Sequence, residues 1–375
     1  MLSAGLPVRV SLLKTALLAT VAGILIAGLW PFNFRPQNGV KVLPGEGVRI
    51  YRYGQILSTE PWHIKNQTSQ FSVEFWFRPA GTGYGYDSPV LSLSSPGVVN
   101  FAVGQSGRDL YTAVLIPGAN RDAVLRKLWL DGACASNRPL LVTVVSSAEG
   151  VAVYLDGHET RSFTVSVSAR TLSGTITLGH TPAGDQPWSG DLFGVALYDR
   201  KLNVDEVTHH IEQWRAGKTQ ELKEQEGAAG LYDLRSASIN LVRNLGRYGP
   251  DLVVPTTFHA RSKHTLGWPT TWSSSTVADA LENIAGFMPV GFLFVMAAGG
   301  ITRRSLARVS IAAVSAAALL SLSIELLQVY LPSRDSSLAD LLTNILGAAL
   351  GSALAMVLMS WRKSSCWHED SSHRD

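Results

Sequence analysis

Carboxylate and amide side chains lie inside strongly apolar segments near the C-terminal end of the chain. Glu325 and Gln328 belong to one such segment, and Asp340 and Asn344 belong to the next. A charged side chain costs about 2.5–3.5 kcal/mol at the centre of a membrane-spanning helix, whereas a hydrogen bond between two such helices contributes only about 0.6 kcal/mol. These side chains are therefore expected to be neutralised by a partner or used in chemistry.

The spacing of these residues places them on shared helix faces. Asp340, Asn344, Gly347 and Gly351 follow one another at intervals of four, three and four residues, so they line one face of a helix. The two glycines form a G-x-x-x-G pattern, which lets a second helix approach the backbone closely. The other polar residues of the group are Ser321, Glu325 and Gln328 on one face of the preceding segment, Asp279 and Asn283 near the start of an earlier one, and Arg334 and Asp335 in the connecting loop.

Two interpretations of this polar group remain open. In the structural one, the residues hold helices together by hydrogen bonds. In the functional one, Glu325 and Asp340 are candidate catalytic acid/base groups, and Arg334 contacts an anion. The group would then hold an anionic or sugar-bearing lipid head group, relay protons or perform acid/base chemistry. The ligand-binding candidates are Asp279, Asn283, Gln328, Arg334, Asp335 and Asn344.

Four segments are long and apolar enough to cross a bilayer, for which roughly 20 mostly apolar residues suffice. They start at Leu12, Ala278, Val309 and Ser337. The alternative for the first segment is a cleavable signal peptide. No convincing small-x-small cleavage site precedes "WPFNFRP" and the apolar core is long, so an uncleaved anchor is expected.

Basic residues predict the orientation of the four spans. The clusters at 303–308 and 362–363, together with Arg9, all fall on one side of a four-span arrangement, as the positive-inside rule requires. Both termini are therefore predicted to be cytoplasmic. The segment from about 36 to 272 and the short loop "PSRDSS" are predicted to lie on the opposite side.

Charge and cysteine content exclude two classes of protein. The formal net charge is only +3, and no Lys/Arg-rich block is present, so nucleic acid is not expected as a partner. Cys134 and Cys366 would lie on opposite sides of the membrane and cannot pair within one chain. A disulfide framework is therefore excluded, and Cys134 is expected to be a buried apolar filler.

The region between the first two spans has a different pattern. Runs such as "FSVEFWFRP", "PLLVTVVSS" and "GTITLGH" alternate apolar and polar residues and are rich in β-branched and aromatic types. Period-two alternation broken by Gly, Pro, Asn and Asp predicts an all-β sandwich or jelly roll. The Asp-Gly pair in "YLDGHET" predicts a hairpin turn. "LNVDEVTHHIEQWRAG" predicts a short helix capped by Asn203 or Asp205 and ended by Gly217.

These strands and the ending "GTITLGHTPAGDQPWSGDLFGVALYDRKLNVDEV" resemble the LamG-like, concanavalin A-type jelly roll. The piece "GLYDLRSASINLVRNLGRYGPDLVVP" resembles a strand that usually opens such domains, so a C-terminal closing strand is expected. The resemblance implies binding of glycan or cell-wall polymer, and the alternative is a folded spacer. No cofactor is evident from the residues themselves. The resemblance implies calcium, with Asp185 and Asp191 as loop candidates.

Hydrolysis by this domain is not expected. Glycosidases need two carboxyl groups close together, about 5–5.5 Å apart in retaining enzymes. Glu74 is the sole carboxylate of its strand and Asp156 sits in a turn. Trp62, Trp129 and Trp188 are candidates for stacking on sugars, with burial in the core as the alternative.

The apolar segments resemble a second family. "NIAGFMPVGFLF" and "SIELLQVYLPSRDSSLADLLTNILGAALG", with a first span ending in "WPFNFRP", closely resemble the VanZ-like bacterial membrane proteins. The resemblance covers residues 8–36 and about 276–360. The family takes its name from a protein that confers low-level resistance to the glycopeptide teicoplanin, which implies an effect on antibiotic susceptibility. The large inserted jelly roll departs from the simple form of the family.

The predicted fold is therefore a four-helix transmembrane bundle with an all-β jelly roll inserted between helices 1 and 2. The expected location is the bacterial cytoplasmic membrane, and the expected partners are the lipid bilayer, a glycan or cell-wall polymer, and a lipid-linked envelope precursor. An enzyme acting on a lipid-linked substrate and an anchored lectin-like adhesin or sensor are the alternatives. The predicted divisions are 1–36 (tail and helix 1), 37–260 (jelly roll), 261–275 (linker), 276–362 (helices 2–4) and 363–375 (tail).

Overall fold

The computed structural model of the chain separates into two compact units. Residues 1–34 and 263–375 form the first, here called the bundle, and residues 35–262 form the second, here called the sandwich. The structure describes residues 5–371 apart from 66–69, 82, 84–86, 97, 118–122, 166, 168–170, 181–186, 225–226, 259–263, 269–273 and 299–302.

The sandwich consists of β-strands with two short helices near its C-terminal end. The strands are β1 (Val40–Leu43), β2 (Gly47–Ile50), β3 (Ile56–Ser58), β4 (Phe71–Pro79), β5 (Ser88–Ser95), β6 (Val98–Ser106), β7 (Asp109–Pro117), β8 (Ala123–Leu130), β9 (Leu140–Ser147), β10 (Gly150–Leu155), β11 (His158–Phe163), β12 (Thr175–Leu178), β13 (Gly190–Tyr198), β14 (Gly230–Asp233), β15 (Leu241–Val242) and β16 (Leu252–Val253).

These strands form two antiparallel sheets, as the alternating pattern predicts. Sheet I has the spatial order β1-β2-β13-β4-β9-β10-β11, and β14 pairs with β13 as well. Sheet II has the order β15-β16-β3-β12-β5-β6-β7-β8. The jelly-roll sandwich predicted from the sequence is therefore confirmed. Its C-terminal strands add to both sheets, because β14 pairs with β13 and β16 pairs with β3.

Strand β4 shows why this sequence forms a sandwich. Its side chains alternate between the two faces of sheet I. Phe71, Val73, Phe75 and Phe77 are all buried in the core between the sheets. Glu74 projects from the opposite face, which is partly covered by a helix. A second apolar cluster, between sheet I and that helix, buries the outer face locally.

The local turn and cap signals are realised. Asp156 and Gly157, between β10 and β11, have φ angles of 52° and 84°, the conformation of a tight hairpin turn. Helix α2 (Val204–Ala216) starts with a capping box in which Asn203 and Glu206 bond reciprocally, and it ends at Gly217 with φ 74°. Asn203 is thus the cap, rather than Asp205. Helix α3 (Thr219–Glu224) follows.

The bundle is formed by four long helices. They are α1 (Gly5–Leu29), α4 (Ser274–Ala298), α5 (Arg303–Gln328) and α6 (Leu338–Ser371). Each contains a stretch long and apolar enough to cross a membrane, at Val10–Leu29, Thr276–Ala298, Ser305–Gln328 and Leu338–Trp361. The prediction of four spans is confirmed.

Small residues allow α4 and α6 to pack closely. A Cβ atom placed on Gly347 would lie 2.4 Å from the carbonyl oxygen of Ile284, and one on Gly351 would lie 1.9 Å from that of Met288. In return, a Cβ on Gly291 would lie 1.9 Å from the carbonyl oxygen of Ala348. The G-x-x-x-G pattern therefore marks a real helix contact, as its sequence predicts.

Candidate functional site

A polar pocket lies within the bundle. It has a volume of about 700 Å³. Its walls come from α4, α5 and α6, from the C-terminal end of α1 and from the loop that joins α5 to α6. A pocket of this size falls in the range of small-ligand sites. We call it the polar pocket.

Glu325 forms part of the pocket wall and is nearly inaccessible, with 2% of its surface exposed. Its Oε2 accepts a hydrogen bond of 2.7 Å from the backbone N–H of Ser337. Ser337 directly precedes α6, so the carboxylate of α5 lies against the N-terminal end of the next helix. The first N–H groups of a helix lack intrahelical acceptors, and this contact satisfies a donor at that end.

Asp340 lies in the first turn of α6 and also lines the pocket. Its backbone N–H donates to Oγ of Ser337 at 3.2 Å, which gives α6 a serine cap. The Asp340 carboxylate interacts with the side-chain amide of Asn283 and with the carboxylate of Asp279, both on α4. The spacing of Asp279 and Asn283 therefore brings both to the pocket, as the shared-face argument predicts.

Two pocket residues bind the end of α1 rather than one another. The Gln328 side chain donates to the carbonyl oxygen of Gly28 at 2.9 Å, and Arg334 donates to that of Ala27 at 3.0 Å. The last carbonyl groups of a helix lack N–H partners within the helix. Gln328 and Arg334 thus supply those partners and fix α1 to the pocket.

Asn344 carries an unsatisfied group. Its Nδ2 donates to Oγ of Ser321 at 2.9 Å, which joins α6 to α5. Its Oδ1 is buried and has no hydrogen-bond partner among the residues that the structure describes. Asn344 is only 6% exposed and lines the pocket. A buried acceptor without a partner costs about 1–3 kcal/mol, and a ligand that donates a hydrogen bond would remove that cost.

The charge of the pocket is predominantly acidic. Of the lining residues that the structure describes, Arg334 is the sole cation and five carry carboxylates: Asp279, Glu282, Glu325, Asp335 and Asp340. The sequence analysis assigned the anion-contacting role to Arg334, but the lining as a whole offers mainly hydrogen-bond acceptors. It therefore suits a ligand that donates hydrogen bonds through hydroxyl or amine groups.

All of the catalytic and ligand-binding candidates of the bundle line the same pocket. They are Asp279, Asn283, Glu325, Gln328, Arg334, Asp335, Asp340 and Asn344. Their catalytic and binding roles stay predictions. Glu282 also lines the pocket but was not among the candidates, although its spacing of three residues from Asp279 is compatible with the same helix face. The α1 carbonyl contacts were missed as well, because backbone groups leave no sequence signal.

The calcium candidates are placed differently. Asp185 lies outside the described residues. Asp191 is held by Arg49, whose Nε lies 2.6 Å from Oδ1, and by Arg78, whose Nε lies 2.9 Å from Oδ2. Burial disfavours the charged form of Asp191, but the bonds from Arg49 and Arg78 outweigh it and lower its pKa. Calcium at Asp191 stays a prediction, and it requires displacement of both guanidinium groups.

In the described parts of the chain, no group of three or more His, Cys, Asp or Glu side chains is placed to hold a metal ion.

Two of the three tryptophans considered for sugar stacking are core residues. Trp62 and Trp188 are fully buried, and Trp188 donates to Gln105 at 2.9 Å. Trp129 is half-buried and packs on Tyr111 with a ring separation of 5.4 Å. The core alternative is therefore the right one for Trp62 and Trp188, because buried rings cannot present a face to a ligand.

Glu74 is enclosed by hydrogen-bond partners inside the sandwich. It is fully buried beneath α2, where it faces Nδ1 of His210 at 2.7 Å. It also accepts bonds from Nε1 of Trp214 at 3.0 Å and from the hydroxyl of Tyr198 at 3.1 Å. A carboxylate enclosed in this way ties the helix to the sheet.

Comparisons with known proteins agree with this architecture. The VanZ/LLP1 family model matches residues 227–359. The model of the concanavalin A-like lectin/glucanases superfamily matches residues 53–208. The chain is thus a multi-pass membrane protein with a lectin-type sandwich. The predicted combination of a VanZ-like protein with a LamG-like domain is confirmed. The VanZ/LLP1 match begins earlier than the expected residue 276, and it includes β14, β15 and β16 of the sandwich.

Two solved structures are similar to parts of this chain. The binding domain of Paraclostridial Mosquitocidal Protein 1 is 14% identical, with a TM-score of 0.36, over 48% of this chain and 47% of that one. The binding domain of botulinum neurotoxin DC in complex with SialylT is 14% identical, with a TM-score of 0.32, over 48% and 45%. The alignments span less than half of those chains. No curated protein matches the chain.

Proposed function

We propose that this chain is a bacterial cell-envelope protein whose polar pocket holds the head group of an envelope lipid or lipid-linked precursor. The observation that carries the proposal is the convergence of polar side chains from three apolar helices on one pocket of about 700 Å³. The buried Oδ1 of Asn344, which has no hydrogen-bond partner in the described part of the chain, supports it independently. Helix packing alone requires neither an open pocket nor an unsatisfied acceptor.

The membrane orientation supports a lipid of the outer leaflet. In the proposed topology both termini are cytoplasmic. The basic clusters flank the helix ends opposite to those that line the pocket, and basic residues favour the cytoplasmic side. The pocket is adjacent to the loop between α5 and α6, which then lies on the external side. The sandwich would be extracytoplasmic as well, and there it would bind glycan or polymer. Because the chain resembles the VanZ family, we include an effect on glycopeptide susceptibility in the proposed role of the protein.

The lining indicates which chemistry the head group carries. Carboxylates and the Asn344 carbonyl accept hydrogen bonds, so they suit sugar hydroxyl or amine groups. Arg334 adds one cation in the loop, where it suits a phosphate. A phosphate-bearing glycolipid or aminolipid combines both features. A simple anionic lipid would meet five carboxylates and is therefore disfavoured.

An enzyme is the second candidate function. Glu325 and Asp340 line the same pocket and interact with each other, an arrangement that general acid/base chemistry can use. Turnover of a bound lipid that is lost in Glu325→Gln, while the lipid is still bound, would favour this candidate.

The test is mass spectrometry of the lipids that co-purify with the full chain. Wild type is compared with an Arg334→Ala/Asp340→Asn variant, which alters the pocket at two positions. Arg308→Ala is the matched control, because Arg308 is a charged residue of α5 that does not line the pocket. Monodispersity and thermal unfolding verify that all three proteins fold equally.

The expected result is a specific phospho- or glycolipid that is retained by wild type and the control and lost from the pocket variant. The same bulk lipid in all three proteins would overturn the proposal. The polar residues would then be contacts between helices, and the protein would be better described as an anchor for its lectin-type domain.

A further inference from the structure

Two arginines share one aspartate at an end of sheet I. Arg49 of β2 and Arg78 of β4 both pair with Asp191 of β13, which lies between them in the sheet register. Asp191 is largely buried, whereas the Arg49 and Arg78 side chains are 43% and 40% exposed. Two guanidinium groups against one carboxylate leave a net charge of +1 in the row. We call these residues the arginine row.

The arginine row forms the wall of a second pocket. This pocket has a volume of about 450 Å³, and Tyr51 and Asn137 also line it. Tyr51 is half exposed and interacts with Arg49. The pocket lies wholly within the sandwich and shares no residue with the polar pocket of the bundle.

The guanidinium groups are held in fixed positions. Arg49 donates to both oxygens of Asp191, through Nε at 2.6 Å and Nη2 at 3.2 Å. Arg78 donates to Oδ2, and its guanidinium also lies 5.7 Å from the centre of the Phe193 ring. Ordering a flexible side chain on binding has an entropic cost. Here that cost is met during folding, because Asp191 and Phe193 already fix both groups.

Helix α2 covers part of this sheet face, and the arginine row lies outside the covered part. Farther along β4 and β13, Trp76 and Gly194 lie against Trp214 of α2. The position of the arginine row in an open pocket leaves guanidinium donors accessible to a ligand.

We propose that the arginine row binds an anionic group, a carboxylate or a phosphate, carried by an envelope glycan or polymer. Arginine presents a planar fork of N–H donors that matches both anions. Tyr51 and Asn137 supply the neutral polar contacts that a sugar requires. This site rests on the proposed role of the sandwich in glycan binding, and it is independent of the lipid proposed for the bundle.

The test is isothermal titration of the full chain in nanodiscs with three soluble probes. A glycerol-phosphate oligomer tests phosphate, an oligogalacturonate tests carboxylate, and a neutral glucose oligomer is the uncharged control. The variant is Arg49→Gln/Arg78→Gln. The matched control is Arg138→Gln, because Arg138 also forms an exposed ion pair, with Asp156, but lines a different pocket.

We expect wild type and Arg138→Gln to bind at least one anionic probe and not the neutral one. The double variant should bind that probe about tenfold or more weakly, because hydrogen bonds to charged groups are lost. If the double variant does not fold, Arg78→Lys keeps the charge without the fork and should still weaken binding. No binding by wild type, equal binding of the neutral oligomer, or equal affinity in the variants would overturn the proposal.

A lipid lost from the pocket variant of the bundle, together with unchanged probe binding by the arginine-row variant, would support the lipid site and refute the arginine-row site. Unchanged lipid in the pocket variant, together with weakened probe binding by the arginine-row variant, would refute the lipid site and support the arginine-row site. The two experiments therefore fail separately.

Discussion

The backbone N–H of Ser337 donates a 2.7 Å hydrogen bond to Oε2 of Glu325, so a carboxylate from α5 completes the start of α6. The same carboxylate forms part of the polar pocket. Glu325 therefore has a structural contact and a position suited to ligand binding at once. Substitutions at this position separate the two, because an amide can still accept the Ser337 bond and a methyl group cannot.

Glu325→Ala is expected to destabilise the bundle, and Glu325→Gln is expected to retain its fold. Alanine leaves the Ser337 N–H without its acceptor, which costs about 1–3 kcal/mol. Thermal unfolding of both variants in the same detergent, followed by circular dichroism, measures the difference. Equal unfolding temperatures for the two variants would show that the Ser337 contact contributes no stability.

Gly351→Ala is expected to loosen the contact between α4 and α6. The added Cβ would lie 1.9 Å from the carbonyl oxygen of Met288, so one helix must shift. Overpacking of this kind costs about 1–3 kcal/mol. Gly23→Ala in α1 is the matched control, since no described atom outside its own helix lies within 4 Å of the new Cβ. The thermal unfolding temperature should fall for Gly351→Ala and stay constant or rise for Gly23→Ala.

Glu74→Ala is expected to destabilise the sandwich strongly. Glu74 is fully buried and contacts His210, Trp214 and Tyr198, so its loss leaves several buried polar groups without their acceptor. Each buried polar group left without its partner costs about 1–3 kcal/mol. The near-ultraviolet signal of the tryptophans reports the unfolding.

Glu149→Ala provides the comparison for Glu74. Glu149 pairs with Lys201, but its side chain is 84% exposed. Exposed pairs are screened by water, so no measurable change in stability is expected. Comparable losses in the two variants would mean that burial of Glu74 is not the source of its effect.

Cys134 is expected to resist thiol reagents in the folded protein. Burial is the main cause that raises its pKa from 9.0 to about 12, with a smaller contribution from Asp109. The native thiol is therefore protonated at pH 8, and thiolate is the reactive form. Maleimide labelling of a Cys366→Ser variant should be slow in the native state and fast after denaturation. Rapid labelling of the native protein would contradict this burial.

The same shift has a consequence for stability at high pH. A raised pKa in the folded state means that the unfolded chain loses its thiol proton first. The stabilising contribution of Cys134 is therefore complete below about pH 9 and is lost as the pH rises from 9.0 toward about 12. Replacement of Cys134 by alanine, with its own loss of packing measured at pH 7, should make that part of the pH dependence disappear.

Helix faces in the bundle were predictable because a helix has a fixed period. The intervals between Asp340, Asn344, Gly347 and Gly351 suffice to place these residues on one side, and the structure puts them against α4 or in the pocket. The contact between Glu325 and Ser337 was not predictable in the same way. It depends on the path of a loop, which no periodic pattern describes.

Contacts between distant strands and helices were likewise invisible in the sequence. The arginine row requires the register of three strands that are far apart in the chain. The environment of Glu74 depends on how α2 folds back over sheet I. Alternation predicts that Glu74 belongs to a strand of a sandwich. It does not reveal that Glu74 becomes fully buried.

The bonds from Gln328 and Arg334 to the end of α1 have a consequence for biosynthesis. Gln328 reaches Gly28 across 300 residues of sequence, and Arg334 reaches Ala27 across 307. During translation α1 therefore leaves the ribosome long before its partners exist, and the entire sandwich is made in the interval. The polar pocket can form only after the last helices are inserted. A chain truncated before them would present α1 to membrane quality control without Gln328 and Arg334, which bond to its last carbonyl groups.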